Sequence, residues 1–373
     1  MSEIKIKTLT SLHIGSGETL HQGNDFVEGK QQIGGKEERI LGIVDARKVM
    51  RLIGEENVEK WVQAIERGDR TGDIINVYAK EATVEDYTHR QLLLLSDLKP
   101  TDTLKEQMHD GLGRPYIPGS SIKGAIRTAV LASLATHNTD YQNMLTNNGG
   151  KPSAKRVEAD LFGRDPNKDV FRFLQVGDAY FGESYEVALR MVNLNERHKK
   201  SFWDTTKSQL IEAIGCDDES SFRLKLNMSH YEAAQGYVKN IPGCMESLPS
   251  LFETINTHTQ SLINKEIEFW EEKEESDSSG YVLDYIDRMK EMLAETQACR
   301  NGESCVLRIG HGSGWRFITG GWTEEYDNFK SVVVPASRPN YWKYDEYSFP
   351  KTRRVDDACE LLGFVRLEII NNK

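Results

Sequence analysis

The stretch Arg114-Pro115-Tyr116-Ile117-Pro118-Gly119-Ser120-Ser121-Ile122-Lys123-Gly124-Ala125-Ile126-Arg127 decides how the rest of the chain is read. Pro115 and Pro118 hold its first half extended or turned, because proline fixes its own φ and restricts the residue before it. Ser120 or Ser121 then supplies a helix N-cap. Ile122, Ala125, Ile126, Ala129, Val130 and Leu134 recur at helical spacing, which predicts a helix with one buried face. Lys123 and Arg127 lie four apart and share a face near its N-terminus. A helix N-terminus with two cations is a natural place for an anion. For this stretch alone, glycines that merely turn the chain are the better reading.

Two further glycine-rich turns change the balance. They are Ile14-Gly15-Ser16-Gly17 and Arg308-Ile309-Gly310-His311-Gly312-Ser313-Gly314-Trp315. Successive backbone N–H groups in such turns form a concave nest for phosphate oxygens, and glycine lets the phosphate approach. Three such turns, two with basic neighbours, point to phosphate or RNA contact. The signatures of other nucleotide sites are missing. No Gly-Lys-Ser/Thr closes the second turn, the third lacks G-x-G-x-x-G spacing, and no serine sits in a G-x-S-x-G elbow. Trp315, Phe317 and Trp322 interleave with Arg308, His311 and Arg316, a pattern suited to base stacking, although Phe317 reads as core. Lys351, Arg353 and Arg354 form a basic cluster. His13 is a candidate general acid or base without an evident partner.

Outward from these turns, the chain alternates strand and helix patterns. Strands are expected at 3–14, 40–44, 171–180, 185–193, 222–227, 243–248, 306–309, 331–334 and 362–370. Residues 20–40 read as a loop or hairpin, with helices after Asp45 and at 58–65. Residues 66–110 are ambiguous, and 138–170 read as an irregular insertion. A helical stretch spans 252–298, interrupted at 276–280. The 373 residues fit two domains of ~150 residues each. A polar link at 195–201 places the expected boundary between 1–200 and 201–373. The fold class is α+β.

Net charge is −11, with 47 basic and 58 acidic residues, which argues against a general nucleic-acid binder. The charge is segregated, however. Residues 111–156 carry six bases (Arg114, Lys123, Arg127, Lys151, Lys155, Arg156) and one acid, Asp140; residues 265–295 carry eleven acids and four bases. One basic groove on an acidic body is expected, with the 265–295 helix facing solvent or a basic partner. Five scattered cysteines without a C-x-x-C pair predict neither a disulfide scaffold nor a zinc site. No apolar run approaches the ~20 residues of a membrane span, so a cytoplasmic protein is expected.

In order along the chain, His13-Ile14-Gly15-Ser16-Gly17, the stretch from Tyr116 to Arg127, Val176-Gly177-Asp178-Ala179, Arg308-Ile309-Gly310, Pro350-Lys351-Thr352-Arg353 and Leu362-Gly363-Phe364-Val365 resemble the RAMP superfamily of CRISPR-associated proteins. Within it, the chain is most similar to the fifth Csm subunit of type III-A effector complexes. The resemblance implies two tandem ferredoxin-like, RRM-related domains with glycine-rich loops and helical insertions, the second domain carrying the insertion around 252–298. It implies crRNA and the backbone RAMP subunits of the Csm complex as partners, with host nucleases recruited for crRNA trimming. The subunit would cap the 3′ part of the crRNA without catalysing cleavage, and would need neither cofactor nor metal. The RNA-binding set carried over is His13, Gly15, Ser16, Gly17, Ser120, Ser121, Lys123, Gly124, Arg127, Arg308, Gly310, His311, Gly312, Ser313, Gly314, Trp315, Arg353 and Arg354. The alternatives are a metal-independent crRNA-processing endoribonuclease using His13, or another type III RAMP subunit.

Overall fold

In the strand Ser2–Thr8, Ile4, Ile6 and Thr8 are buried while the intervening residues stay accessible, the period-two pattern of a sheet with one covered face. The computed structural model describes residues 2–146, 153–182, 185–198, 200–318, 320–337 and 341–370. Ser2–Thr8 lies at the centre of a five-stranded antiparallel sheet. Its spatial order is Ser304–Arg308, Phe364–Ile370, Ser2–Thr8, Glu219–Leu226, Leu174–Val176. Ile4 stands between Phe222 and Ile369 in register.

Two helices cover this sheet. Gly119–Ala135 comes in sequence between Ser2–Thr8 and Leu174–Val176, and Leu248–Glu271 between Glu219–Leu226 and Phe364–Ile370. Four of the five strands therefore follow the split β-α-β connectivity of a ferredoxin-like sheet, with Ser304–Arg308 added at the edge. Ile4, Ile6, Ile122, Ile126, Phe252 and Leu367 belong to the core between these layers. Each buried side chain of this size contributes about 1.5–3 kcal/mol relative to exposure.

The second sheet has eight strands. Its main path runs Gly15–His21, Thr103–Gln107, Trp203–Ile214, Glu186–Asn195, Thr88–Leu94, Lys36–Val44, Phe26–Ile33, and Thr352–Asp356 also pairs with Glu186–Asn195. Glu186–Asn195 is buried along its whole length, as befits a strand with neighbours on both edges and both faces covered.

The α+β class stands, but several expectations change. The boundary expected at 195–201 is the turn of a hairpin joining Glu186–Asn195 to Trp203–Ile214. Both sheets mix strands from residues 1–200 and 201–373, so that division does not follow the sheets. Residues 20–40 hold the hairpin Phe26–Ile33 and Lys36–Val44. The insertion at 138–170 contains the helices Thr139–Thr146 and Lys155–Leu161; Lys151 of the basic stretch lies outside the described residues. Residues 331–334 are helical rather than extended, because Val333 packs into the main core and Pro335 follows without an N–H for a ladder. Residues 243–245 form a single helical turn. The stretch 252–298 is a pair of helices, Leu248–Glu271 and Tyr281–Gln297, broken where expected.

Candidate nucleic-acid interface

The first and third glycine turns are brought side by side. The His311 N–H donates to the His13 carbonyl at 2.9 Å, and a Cβ on Gly310 would lie 2.6 Å from that same oxygen. Gly310 also has φ +84°, so both contact and backbone conformation demand glycine here. A cleft of about 220 Å³ opens between His13, Gly15, Gly17, Glu18, Lys105, Glu106, Gln209 and His311. His13 is buried, and its Nδ1 lies 2.6 Å from the Glu212 carbonyl. That contact makes Nδ1 the protonated nitrogen and leaves Nε2 as an acceptor towards Gly15. Burial pushes the His13 pKa down to about 4 despite this hydrogen bond. His311 stands 5.8 Å from it, ring to ring, and is exposed.

The second turn adjoins through two backbone hydrogen bonds, Met108 N–H to the Ile14 carbonyl and Tyr116 N–H to the Met108 carbonyl. From there the helix Gly119–Ala135 starts with Pro118 at the N-cap position. Neither Ser120 nor Ser121 caps it. Instead the Asp178 carboxylate accepts from the Gly119 N–H at 2.7 Å. That carboxylate already complements the helix N-terminus, so a phosphate here would meet the side chains of the first turn. Ser120 and Gly124 are exposed, and Ser121 and Lys123 are half-buried. Gly119 is required by contact: a Cβ would lie 2.3 Å from the Val176 carbonyl oxygen and 2.8 Å from that of Gly177. Gly119→Ala is therefore expected to lower stability by about 1–3 kcal/mol, read as a fall in thermal midpoint.

The two cations of this helix differ. Arg127 pairs with Glu158 at 3.2 Å and Asp169 at 2.8 Å, and its guanidinium lies over the rings of Phe162 and Phe171. Lys123 has no carboxylate within salt-bridge distance among the described residues. Burial lowers its ammonium pKa, with Asp169 acting in the opposite direction. It is the cation of this turn that still lacks a close counter-ion.

Arg308 and Arg353 are core groups, not groove-lining cations. Arg308 is buried between Phe317 and Phe364, and its Nε donates to the Leu362 carbonyl. Arg353 is held by Glu266 at 2.6 Å and by the Pro350 carbonyl. Arg316 meets the same Glu266 at 2.9 Å and Glu324 at 2.8 Å. Glu266 also accepts from the Tyr285 hydroxyl. It lies in the acidic 265–295 run expected to face solvent, yet it is 1% exposed. Trp315 packs against Phe329 and Phe349, and Trp322 is buried, so neither offers a free stacking face. Ser313 is buried, its hydroxyl donating to the Gly310 carbonyl; Gly312 and Gly314 turn the chain with positive φ. Ser16 donates to Glu106. Arg354 is half-buried, and its charge adds to the partial desolvation within the cleft that lowers the His311 pKa most.

Comparison with known proteins fits this geometry. The sequence model of the RAMP superfamily matches residues 5–317. The chain belongs to the RAMP superfamily. A curated protein of Methanocaldococcus jannaschii, named CRISPR system Cms protein Csm5, is 25% identical over 213 residues, 53% of this chain and 47% of that protein. The match thus spans about half the relative's length. A chain in the cryo-EM structure of a Csm-crRNA-target RNA ternary complex of a type III-A CRISPR-Cas system superposes with TM-score 0.67 at 18% identity, covering 99% of this chain and 100% of that one. The crystal structure of T. onnurineus Csm5 gives 0.65 at 17%, covering 97% and 99%. At these identities the structures show a shared fold.

Sequence reasoning missed several residues of the candidate interface. Gln107 accepts from the Ile14 N–H, and Lys105 and Gln209 line the cleft. Nothing in a strand pattern marks them. Behind the cleft lies a buried charge cluster. Arg90 meets Glu212 at 2.9 Å, and His109 meets Glu186 at 2.6 Å. Burial raises the Glu212 carboxyl to about 7, with Arg90 opposing and Glu186 adding to the rise. Glu106, His109 and Glu212 bring potential ligand atoms within 4.8 Å of one another, but Arg90 already stands among these carboxylates as their counter-ion.

Proposed function

We propose that this chain is a non-catalytic, crRNA-binding subunit of a type III-A Csm interference complex. In this reading it caps the 3′ part of the crRNA and supports 3′-end maturation through recruited nucleases. Lys123 carries the proposal: a half-buried cation without a close counter-ion, at the exposed first turn of the central helix, beside three adjoining glycine turns. Ser120, Ser121 and Gly124 would frame a phosphate at Lys123. Gly15 to Gly17, Gly310 to His311 and Arg354 would continue the track. Backbone contacts of this kind ignore base sequence, as a subunit serving many spacers requires.

The RAMP family, the Csm5 relative and the fold shared with a chain of a crRNA-bound complex support this reading. Among the described residues no helix is long and apolar enough to cross a membrane. Burial lowers the His13 pKa to about 4, which disfavours it as the general acid of an endoribonuclease. With Nδ1 held by the Glu212 carbonyl, Nε2 retains the geometry of an acceptor, so the co-purified RNA decides this alternative. The test is to co-express the tagged chain with its genomic neighbours and sequence the ends of the co-purified RNA. RNAs with a common 5′ tag, whose 3′ ends lengthen or become heterogeneous when the chain is omitted, are expected. Unchanged 3′ ends would sink the capping role.

A further inference from the structure

Away from the glycine turns, an open cleft of about 740 Å³ lies on the insertion between the central helix and residue 170. Lys155, Arg156, Arg164 and Lys239 converge on it, against one carboxylate among the described residues, that of Asp160, with Met144 on its wall. Lys239 reaches Asp160 at 3.2 Å, while Lys155 and Arg164 have no carboxylate within salt-bridge distance among the described residues. On a chain of net charge −11, such a concentration of positive charge in a concavity is a binding feature.

We propose that this cleft is a second RNA-backbone site, holding single-stranded RNA beyond the segment held at Lys123. The inference rests on the RNA-binding reading above and extends it to a surface outside the glycine turns. Two observations favour RNA over an acidic protein segment. The helix Lys155–Leu161 connects the two places: its Glu158 pairs with Arg127 of the central helix, while Lys155 and Arg156 serve the cleft. The cleft and the central helix are thus joined through this one short helix, the arrangement a backbone track along the chain would use. Two residues before Lys239, Tyr237 is 82% exposed, an aromatic face that can stack on a base and that an acidic peptide would not require.

The test uses the purified full chain and a fluorescein-labelled 15-nucleotide oligouridylate, with anisotropy measured from 50 to 300 mM KCl. Each phosphate contact on a single strand contributes about 0.7 to the slope of log affinity against log salt. Lys155→Ala combined with Arg164→Ala should lower that slope by about 1.4 and weaken binding at least tenfold at low salt. Both side chains are exposed, so the thermal midpoint should stay unchanged. An unchanged slope and affinity, with Lys123→Glu still weakening the same RNA, would overturn the second site and leave the proposed function standing. Absence of oligouridylate binding by the unmodified chain, or displacement by polyglutamate as effective as by RNA of equal charge, would also overturn it. The proposed function is read separately, from crRNA 3′ ends in the assembled complex.

Discussion

Glu266→Gln is expected to destabilise the protein by about 3–5 kcal/mol, the cost of removing one partner from a buried ion pair and leaving the other charge uncompensated. Glu266 is fully enclosed and joins three parts of the chain: the helix Leu248–Glu271, the turn at Arg316 and the strand Thr352–Asp356. Arg316 keeps Glu324 when Glu266 is neutralised, but among the described residues Arg353 is left with no carboxylate, holding the Pro350 carbonyl and lying over the Phe269 and Trp270 rings. Glu266→Leu with Arg353→Met should therefore recover much of the loss, because an apolar pair of similar volume avoids the desolvation penalty. The same group predicts an acid transition. Burial opposes ionisation of Glu266, yet Arg353 and Arg316 more than offset it and hold the carboxyl at about 2, against an ordinary 4.5. The unfolded chain thus takes up the proton first. Stability from this group is fully present above pH 4.5 and is lost progressively towards pH 2. Urea midpoints across this range test both statements. A Glu266→Gln midpoint shift worth less than about 1 kcal/mol would show that the arginines relax to water.

The second large effect separates two cations that the sequence pairs. Lys123→Glu should abolish RNA retention by the assembled complex with only a small fall in thermal midpoint, because Asp169 acts on Lys123 at longer range and no carboxylate among the described residues pairs with it at salt-bridge distance. The lone chain's affinity for oligouridylate should fall at least tenfold, with a salt slope smaller by about 0.7. Arg127→Glu should behave differently. It puts a third carboxylate beside Glu158 and Asp169 and removes the cation stacked on Phe162 and Phe171. Arg127 is about one quarter exposed, which screens these pairs. A fall in thermal midpoint is expected there, with any loss of RNA following from it. Normal RNA retention by a folded Lys123→Glu variant would remove the central turn from the interface.

The sequence spoke most clearly where local geometry does the work. Pro118 and Gly119 before Ile122, Ile126 and Ala129 specify a turn and a helix with one buried face, and the structure has both. The gap at 276–280 divides two helices for the same local reason. What stayed hidden depends on distant partners. Arg353 and Arg308 look like surface cations until Glu266 and the rings of Phe317 and Phe364 close around them. Asp178 lies 59 residues from the Gly119 N–H that it caps. Glycine spacing located the turns that meet, His13 to Gly17 and Gly310 to His311, but not Lys105, Gln107 and Gln209. Those sit in strands whose pairing has no local signature.

Ser2–Thr8 has its partners at 219–226 and 364–370. The ribosome makes this segment long before the second of these neighbours. At about 5–20 residues per second, roughly 20–70 s separate the two. Throughout that interval the strand at the middle of the finished sheet is an open edge, the kind of surface that recruits foreign strands. A ribosome that stalls before residue 364 leaves it with one neighbour at most, and leaves Ser304–Arg308 with none. Closure of this sheet therefore keeps time with translation: a nascent chain cannot complete it before the strand Phe364–Ile370 has been made.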